Sequence, residues 1–410
     1  MNESFQCRAC GSSRGRLVLD LGIQPLANNL LRPDDLSQPE PRFPLRLFVC
    51  GDCRLLQIAD EVAPVKLFGE YLYFSSFSDL MLRHAREAAE RYTREFGLGA
   101  DDNVVEIASN DGYLLKNFVQ AGIPCLGIEP AANIAREAVN RGIPTRAEFF
   151  GRALAETLVA EKQGADLILG NNVFAHAPAI NDFVAGLKIL LKPGGRVILE
   201  FPYALDLIEK TEFDTIYHEH VFYFTLSALR PVFQRHGLVI HHVEKLPIHG
   251  GSLRLFATHS DGGAPDETVD AFIREENRRG VNTDEYYLGF SESVMGLKTD
   301  LNRLLKGLKA EGKSIAAYGA SAKGSTLLNY FGLGTECLDF VVDRSSYKQG
   351  RLTPGTHLPI LAPEQLLERQ PDYTLLLTWN FADEILGQQS EYRRRGGRFI
   401  IPIPAVKIVQ

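Results

Sequence analysis

Short apolar runs alternate with helix-like stretches from residue 103 onward. Strand-like V-V-E-I-A (104–108) is followed by a polar turn S-N-D-G and a helical run over residues 113–121. A second strand-like run (125–128) ends in Glu129-Pro130 and precedes a helical stretch over 133–141 and a short strand near 144–146. Such alternation is typical of βαβ units with parallel strands. It predicts a doubly wound α/β domain.

The same alternation continues to the carboxyl terminus. Strands over 166–170 and 196–200 flank a helix over 180–191, and a charged helical stretch (284–311) leads into a strand at 314–318, a helix at 325–332 and a strand at 338–342. A second Rossmann-like α/β unit is therefore expected. We predict a small lobe at 1–70, a core with a leading helical segment at 71–260, and a C-terminal domain at 261–410.

Composition limits the classes of function. A chain of 410 residues exceeds the size at which one core keeps growing, which favours several domains. The 44 basic and 51 acidic side chains give a net charge of −7, the wrong sign for gripping nucleic acid. No apolar run spans a membrane and no secretory signal begins the sequence, so we expect a cytoplasmic protein without a nucleic-acid, membrane or obligate protein partner.

Four of the six cysteines form two closely spaced pairs, C-R-A-C and C-G-D-C. A two-residue gap lets a tight turn present two thiolates to one tetrahedral ion, and two such turns complete a structural zinc site. Unligated buried cysteines or a redox couple are the alternatives. The predicted zinc ligands are Cys7, Cys10, Cys50 and Cys53.

The turns after the core strands favour S-adenosylmethionine as the cofactor. Glu129 ends the second strand, where a carboxylate can accept both ribose hydroxyls of an adenosine ligand. A single glycine in the first turn argues against a dinucleotide pyrophosphate. A doubly wound domain with another ligand, and a merely packing role for His176, stay open. The predicted cofactor-binding residues are Glu106, Ala108, Asn110, Asp111, Gly112, Glu129, Pro130, Asn171, Asn172 and His176.

A histidine-rich segment, F-D-T-I-Y-H-E-H, follows the core strands. H-E-H lacks the spacing of the zinc peptidase helix, so acid–base work fits better than metal binding. A histidine titrating near neutrality is a natural base for removing a proton beside a ketone. Glu219 would then orient an imidazole, and Tyr217 would donate to the enolate oxygen. Satisfied core histidines at a strand edge are the alternative.

The C-terminal unit carries a second candidate binding turn, G-A-S-A-K-G (319–324). Small residues let backbone amides approach an anion, and a lysine adds charge against a diphosphate. The alternative is a degenerate Rossmann domain retained for packing. Trp379 is a candidate for base stacking or for the core, and His357 is a further candidate for phosphate or sugar contact. The predicted substrate-binding residues are His249, Gly250, Tyr318, Ser321, Lys323, Lys348 and Arg351.

Residues 101–202 resemble class I S-adenosylmethionine methyltransferases in E-I-A-S-N-D-G, I-E-P, N-N-V-F-A-H and L-L-K-P-G-G. With the cysteine pairs, F-D-T-I-Y-H-E-H, P-I-H-G-G-S-L-R, Y-G-A-S-A-K and R-L-T-P-G-T-H-L-P-I, nearly the whole chain is similar to sugar C-methyltransferases of deoxysugar biosynthesis. That resemblance implies a zinc-binding domain, a methyltransferase core and a Rossmann-like domain. It also implies His220 as the base, with Tyr217, Glu219 and Tyr73 beside the sugar. His218 stands at a variable position of the family motif and is a competing base.

The expected function is S-adenosylmethionine-dependent methylation at C3 of a nucleotide-linked (dTDP or GDP) 4-keto-6-deoxysugar. A small-molecule O- or N-methyltransferase built on the same core is the alternative. A zinc-ribbon RNA-binding protein with a vestigial methyltransferase fold is a third reading, which the acidic balance disfavours.

Overall fold

A computed structural model describes residues 5–59, 62–63, 67 and 74–410, without the side chain of residue 249. Its strands form three sheets. The first belongs mainly to the N-terminal lobe (residues 5–59) and contains the antiparallel strands β1 (Gly15–Pro25), β2 (Arg42–Cys50) and β3 (Leu56–Ile58).

The central sheet contains seven strands in the order β10-β11-β8-β7-β4-β5-β6. These are β4 (Val104–Ile107), β5 (Cys125–Ile128), β6 (Thr145–Arg146), β7 (Ala165–Asn171), β8 (Leu191–Pro202), β10 (Leu238–Leu246) and β11 (Ser252–His259). The short strand β9 (Phe222–Tyr223) leaves this unit and pairs with β3 of the lobe, so Tyr223 lies opposite Leu56. The lobe's sheet is therefore completed by the central part of the chain.

The central sheet combines buried parallel strands with an antiparallel edge. All four residues of β4 and of β5 are buried, as expected for parallel strands covered by helices on both faces. Strands β6, β5, β4, β7 and β8 run parallel, whereas β11 is antiparallel to β8 and β10 to β11. The chain winds outward in one direction from β4 and in the other from β7. Ligands bind where such a reversal leaves a crevice at the carboxyl ends of the strands.

Helices cover both faces of the central sheet. They are Asp79–Phe96, Leu115–Gln120, Ala132–Asn140, Arg152–Ala160, Ile180–Leu190, Ala204–Glu209, Leu226–Arg235 and Glu267–Arg279. In the last of these, the buried carboxylate of Glu276 accepts hydrogen bonds from the Tyr203 hydroxyl (2.8 Å) and from the backbone N–H groups of Leu226 (2.7 Å) and Ser227 (2.8 Å). Glu276 thus caps a helix of the central unit.

The C-terminal sheet repeats the doubly wound pattern in the order β14-β13-β12-β15-β16-β17. Its strands are β12 (Ile315–Tyr318), β13 (Val341–Val342), β14 (Ile360–Leu361), β15 (Tyr373–Leu376), β16 (Arg398–Ile401) and the antiparallel β17 (Lys407–Val409). Its helices are Glu285–Ala310, Ala322–Phe331, Gln365–Arg369, Ala382–Gln388 and Ser390–Arg394. Here the winding reverses between β12 and β15, which creates a second crevice.

Hydrogen bonds join the three units. Asn181 donates to the carbonyl oxygens of Arg8 (3.1 Å) and Ala9 (3.0 Å), which fixes the first cysteine turn on the central unit. Leu31 of the lobe and Leu352 of the C-terminal unit exchange backbone hydrogen bonds of 3.0 and 2.8 Å. Within the described residues, none of the helices has both the length and the apolar character needed to cross a bilayer.

Candidate functional site

The crevice of the central sheet opens between the turns that follow β4 and β7. Ala108 and Asn110 have φ angles of +55° and +50° in the first turn, and Asn172 has a φ of +55° in the second. Side-chain-bearing residues rarely adopt this left-handed conformation, and it concentrates at functional sites where the surrounding structure enforces it. Ala108, Asn110, Asn171 and Asn172 all line the cavity at this crevice.

Glu129 follows β5 and lines the same cavity with Pro130. Its two carboxylate oxygens accept backbone hydrogen bonds from Asn110 (3.0 Å) and Ala131 (2.9 Å). Burial raises the pKa of this carboxyl to about 7, and the two N–H donors partly oppose that shift. A carboxylate offers about four acceptor positions, so capacity remains for ligand hydroxyls.

Three predicted cofactor residues lie behind the cavity wall. Glu106 is buried in β4, its carboxylate oxygens have no hydrogen-bond partner within the described residues, and burial raises its pKa well above the ordinary value. Asp111 accepts from the Ser76 hydroxyl and from Arg141 at 2.8 Å. Gly112 has a φ of +76°, and a Cβ there would lie 2.7 Å from Ile143. These residues shape the first turn from behind, and no cavity-lining position falls on them.

The His220 imidazole lies at the cavity wall with both ring nitrogens engaged. Nδ1 lies 3.0 Å from the carbonyl oxygen of Thr215, and Nε2 lies 2.8 Å from the Tyr217 hydroxyl. A carbonyl oxygen only accepts, so Nδ1 carries a proton. In the neutral ring, Nε2 then keeps its lone pair and accepts the Tyr217 hydrogen bond. This tautomer is the one that a base acting through Nε2 needs.

The two neighbouring histidines differ in position. The His176 ring stands edge-on to His220 with centroids 4.7 Å apart, lines the cavity, and has its pKa lowered to about 4 by burial. The His218 Nε2 lies 3.0 Å from the carbonyl oxygen of Pro44 in β2, and His218 is absent from the cavity lining. The structure therefore gives the competing histidine a contact with the lobe.

Glu219 also turns away from the imidazoles toward the lobe. Its Oε1 accepts a 2.7 Å hydrogen bond from Nδ2 of Asn28, whereas the two ring nitrogens of His220 contact Thr215 and Tyr217. Burial raises the pKa of Glu219 to about 7, and the Asn28 donor opposes the shift. The expected contact of Glu219 with an imidazole is replaced by a contact with an amide.

The second crevice supplies the opposite cavity wall, with Tyr318, Ser321, Lys323 and Lys348. Ser321 caps the helix Ala322–Phe331 by accepting from the Gly324 N–H at 3.1 Å. The Lys323 ammonium lies 4.7 Å from the centroid of the Trp379 ring, and its Nζ has no hydrogen-bond partner within the described residues. Lys348 donates to the Ala320 carbonyl at 2.8 Å.

The remaining predicted substrate residues are not brought together there. Gly250 lies against the Glu212 carboxylate, its carbonyl accepts from Lys210 at 2.5 Å, and it does not line the cavity. Arg351 donates to the Tyr347 carbonyl at 3.1 Å and is likewise absent from the lining. Trp379 is buried and donates to Asp214, which favours packing over base stacking. Tyr73 and the His249 side chain lie outside the described part of the chain.

Residues of the central crevice and of the C-terminal crevice line one cavity of about 640 Å³. It reaches from Glu129 past His220 to Lys323, so both crevices open into a single space. Sequence reasoning missed several lining residues that come from other parts of the chain: Asn28, Phe74, Phe150, Arg344 and Thr378. Phe74 had a local signal, because it directly follows Tyr73, which the family resemblance places beside the sugar.

The four lobe cysteines converge as their spacing predicts. Their Sγ atoms all lie within 4.8 Å of one another, with 3.5 Å between Cys7 and Cys53 and 3.6 Å between Cys10 and Cys50. Tetrahedral Zn–S bonds of 2.3 Å require sulfur separations of about 3.8 Å, so the cluster fits one zinc ion. The four ligand positions are all protein thiols, as in a closed structural site.

Together, a class I methyltransferase fold, a buried carboxylate that lines the cavity after β5 and a four-cysteine cluster define a zinc-binding, S-adenosylmethionine-dependent methyltransferase. Three domain families match the chain: a zinc binding domain at 7–68, a methyltransferase domain at 81–243 and a C-methyltransferase C-terminal domain at 247–404. The C-methyltransferase NovU of Streptomyces niveus is 37% identical over 98% of this chain and 96% of its own length. The chain belongs to this C-methyltransferase family and is an S-adenosylmethionine-dependent C-methyltransferase.

Other matches cover only parts of the chain. The uncharacterized methyltransferase ML2584 of Mycobacterium leprae is 29% identical over 24% of this chain and 36% of its own length. The Synechocystis magnesium protoporphyrin IX methyltransferase with bound S-adenosylmethionine aligns over 44% of this chain and 79% of its own, at 14% identity and a TM-score of 0.33. That likeness carries no argument about substrate.

Proposed function

We propose that the enzyme methylates C3 of a nucleotide-linked 4-keto-6-deoxysugar. The observation that supports this most strongly is the His220–Tyr217 pair on a cavity that joins the crevices of both sheets. A carbon acceptor needs a base to remove its proton and a donor for the resulting enolate oxygen. A nucleotide-linked acceptor also needs a second binding region, and the C-terminal crevice offers one.

His220 is the proposed base. Its Nδ1–H is held by the Thr215 carbonyl, so Nε2 is the nitrogen that accepts the C3 proton. The Tyr217 hydroxyl first turns from Nε2 to the C4 oxygen, which makes the Nε2 lone pair available and places a donor where negative charge develops as the C3–H bond breaks. His176 has its pKa lowered to about 4, so it stays neutral and adds no positive charge that would weaken the base.

The cofactor side follows from the central crevice. S-adenosylmethionine, when bound, supplies the electrophilic methyl group that the C3 carbanion takes up. Glu129 accepts the ribose hydroxyls through the acceptor positions that Asn110 and Ala131 leave available. The turn of Asn171 and Asn172, which follows β7, lines the same cavity and would form another part of the cofactor site.

The nucleotide handle is assigned to the C-terminal crevice. Lys323, Lys348 and Arg344 line the cavity there and provide positive charge for a diphosphate. The N-terminus of the helix Ala322–Phe331 adds backbone N–H groups beside Ser321. The surrounding charge is mixed, because Asp343 lies 3.6 Å from Lys348 and Glu384 lies 3.6 Å from Arg344.

The test is product analysis. The enzyme is incubated with S-adenosylmethionine and a panel of dTDP- and GDP-4-keto-6-deoxysugars in deuterated water, and the products are analysed by mass spectrometry and NMR. We expect deuterium at C3 of the recovered substrate and a methyl group in place of that hydrogen in the product, with one nucleotide preferred, and no reaction with the sugar lacking its nucleotide. Methyl gain on oxygen or nitrogen, or equal turnover of the free sugar, would overturn the proposal.

A further inference from the structure

Asn28 brings the N-terminal lobe into the wall of the cavity. Of the lobe residues that the structure describes, it is the one that lines the cavity. Its loop is fixed on one side by a hydrogen bond from the Asn29 N–H to the Leu26 carbonyl (3.1 Å) and on the other by the Leu31–Leu352 backbone pair. The loop is therefore a closed turn that is attached to the C-terminal unit, which defines the backbone position of Asn28.

The orientation of the Asn28 amide is set by Glu219. Asn28 Nδ2 donates to Glu219 Oε1 at 2.7 Å, and the Glu219 side chain is only 4% exposed. Glu219 lies between Tyr217 and His220 in sequence, and both of those residues line the cavity. Glu219 itself does not line the cavity. Its contact with a residue of this cavity wall is the hydrogen bond from the Asn28 amide.

We infer that Asn28 binds a hydroxyl group of the acceptor sugar and that Glu219 is the positioning residue that orients it. This inference rests on the proposed function. One N–H of the amide is used by Glu219, which leaves a second N–H and the carbonyl oxygen for the cavity. A sugar hydroxyl both donates and accepts, so it matches this pair of groups.

The reacting C4 oxygen is a poorer match for Asn28. Negative charge develops on that oxygen when the C3 proton leaves, and an acidic side chain within hydrogen-bond reach of the amide disfavours such charge. A neutral hydroxyl carries no such penalty. Asn28 therefore acts in binding and orienting the acceptor, and Tyr217 acts on the C4 oxygen.

The test compares adjacent asparagines. Asn28→Ala removes the amide from the cavity, whereas Asn29→Ala removes an exposed amide outside it and serves as the matched control. We expect the KM for the keto-sugar to rise about 5- to 10-fold in Asn28→Ala, which is the effect of one lost neutral hydrogen bond. The kcat and the S-adenosylmethionine affinity should stay near wild type, and Asn29→Ala should match wild type throughout.

A second pair of variants tests Glu219. Glu219→Gln keeps a carbonyl oxygen for Asn28 and should retain a near-wild-type KM. Glu219→Ala should raise KM as Asn28→Ala does, and the double variant should be no worse than either single variant. Thermal unfolding identifies any variant that fails to fold, and Asn28→Ser replaces Asn28→Ala in that case.

The outcomes separate the two proposals. A wild-type enzyme that methylates none of the acceptors would overturn the proposed function and this inference with it. If the wild type turns over and Asn28→Ala has the same KM as Asn29→Ala, the inference alone is wrong. Additive KM effects of Asn28→Ala and Glu219→Ala would remove the positioning role of Glu219.

Discussion

The indole Nε1 of Trp379 donates a 2.7 Å hydrogen bond to the buried carboxylate of Asp214. Trp379 belongs to the C-terminal unit, and Asp214 lies directly before the residue whose carbonyl holds His220. Burial raises the pKa of Asp214, and the Lys323 ammonium and the indole donor oppose that shift. The contact thus links the C-terminal crevice to the segment that carries the proposed base.

Replacing Trp379 by Phe should destabilise the protein. The change removes the indole donor and leaves a buried carboxylate oxygen without it, which costs about 1–3 kcal/mol of unfolding free energy. Denaturant unfolding followed by circular dichroism measures the effect. In an Asp214→Ala background, which offers the indole no acceptor, the same change should cost less, and an equal cost in both backgrounds would show that the hydrogen bond contributes little.

Two histidines two residues apart should respond differently to substitution. His220→Gln removes the Nε2 base, so kcat should fall by about 10²- to 10⁴-fold. His218→Gln should keep kcat within a few-fold of wild type, because His218 contacts Pro44 rather than the cavity. Steady-state methyl transfer checks both variants. Equal losses would argue against His220 as the base.

The affinity for S-adenosylmethionine should rise with pH around neutrality. Burial raises the Glu129 pKa to about 7, so the carboxyl is mostly protonated below that pH in the free enzyme. Ribose hydroxyls favour the ionised form, and affinity should increase by up to about tenfold per unit as pH approaches 7 and level off above it. Calorimetric titrations of wild type and Glu129→Gln, compared between about pH 6 and pH 8, isolate this contribution.

The raised pKa of Glu129 affects folding stability in the opposite direction: stability falls as pH rises, whereas cofactor affinity increases. The folded protein holds the Glu129 proton more tightly than the unfolded chain, in which the carboxyl has its ordinary pKa of 4.5. Stability contributed by the protonated carboxyl is therefore present at low pH and is lost as pH rises from about 4.5 to about 7. The stability difference between wild type and Glu129→Gln should shrink in the direction of lower pH.

Glu276→Gln should destabilise the protein far more than Glu275→Gln. The Glu276 carboxylate accepts hydrogen bonds from Tyr203 and from two backbone N–H groups. In Glu276→Gln, the NH2 group of the amide would face some of these donors and could not accept from them. We expect a loss of about 2–4 kcal/mol in unfolding free energy. Glu275 lies on the surface, where its ion pairs with Arg278 and Arg279 are screened by water. Chemical denaturation of both variants measures the difference.

Removing zinc should disturb the active site as well as the lobe. Cys10→Ser should lower the zinc content and increase hydrogen exchange at Phe222 and Tyr223, because β9 pairs with β3 of the lobe. Methyl transfer should fall as hydrogen exchange in β9 increases, since β9 follows His220 closely in sequence. Cys337→Ala, a change in the C-terminal unit, is the control and should retain full zinc. Unchanged exchange in zinc-depleted enzyme would contradict the prediction.

Local patterns were sufficient for several elements of the two α/β units and for the zinc cluster. The predicted strand at 125–128 coincides with β5, and the helix predicted over 284–311 is found at Glu285–Ala310. The cysteine spacing led directly to four converging sulfur atoms, because each pair is brought together by its own tight turn. The turns after β4 and β5 were found for the same reason, since each belongs to one βα unit.

Contacts between distant segments could not be predicted in this way. Asn28 meets Glu219 across the lobe and the core, and no periodicity in either segment indicates it. Glu106 and Asp111 lie within the expected motif, yet strand pleating and the Arg141 ion pair turn them away from the cavity. The different surroundings of His218 and His220 likewise depend on where β2 lies, because His218 contacts the Pro44 carbonyl oxygen of that strand.

The pairing of β3 with β9 has a consequence for how the chain is made. The ribosome releases the lobe first, but the partner of β3 emerges only after most of the central unit has been synthesised. Until then β3 is an open sheet edge that invites pairing with other chains. A fragment that ends before residue 222 should therefore aggregate even when its cysteines are saturated with zinc.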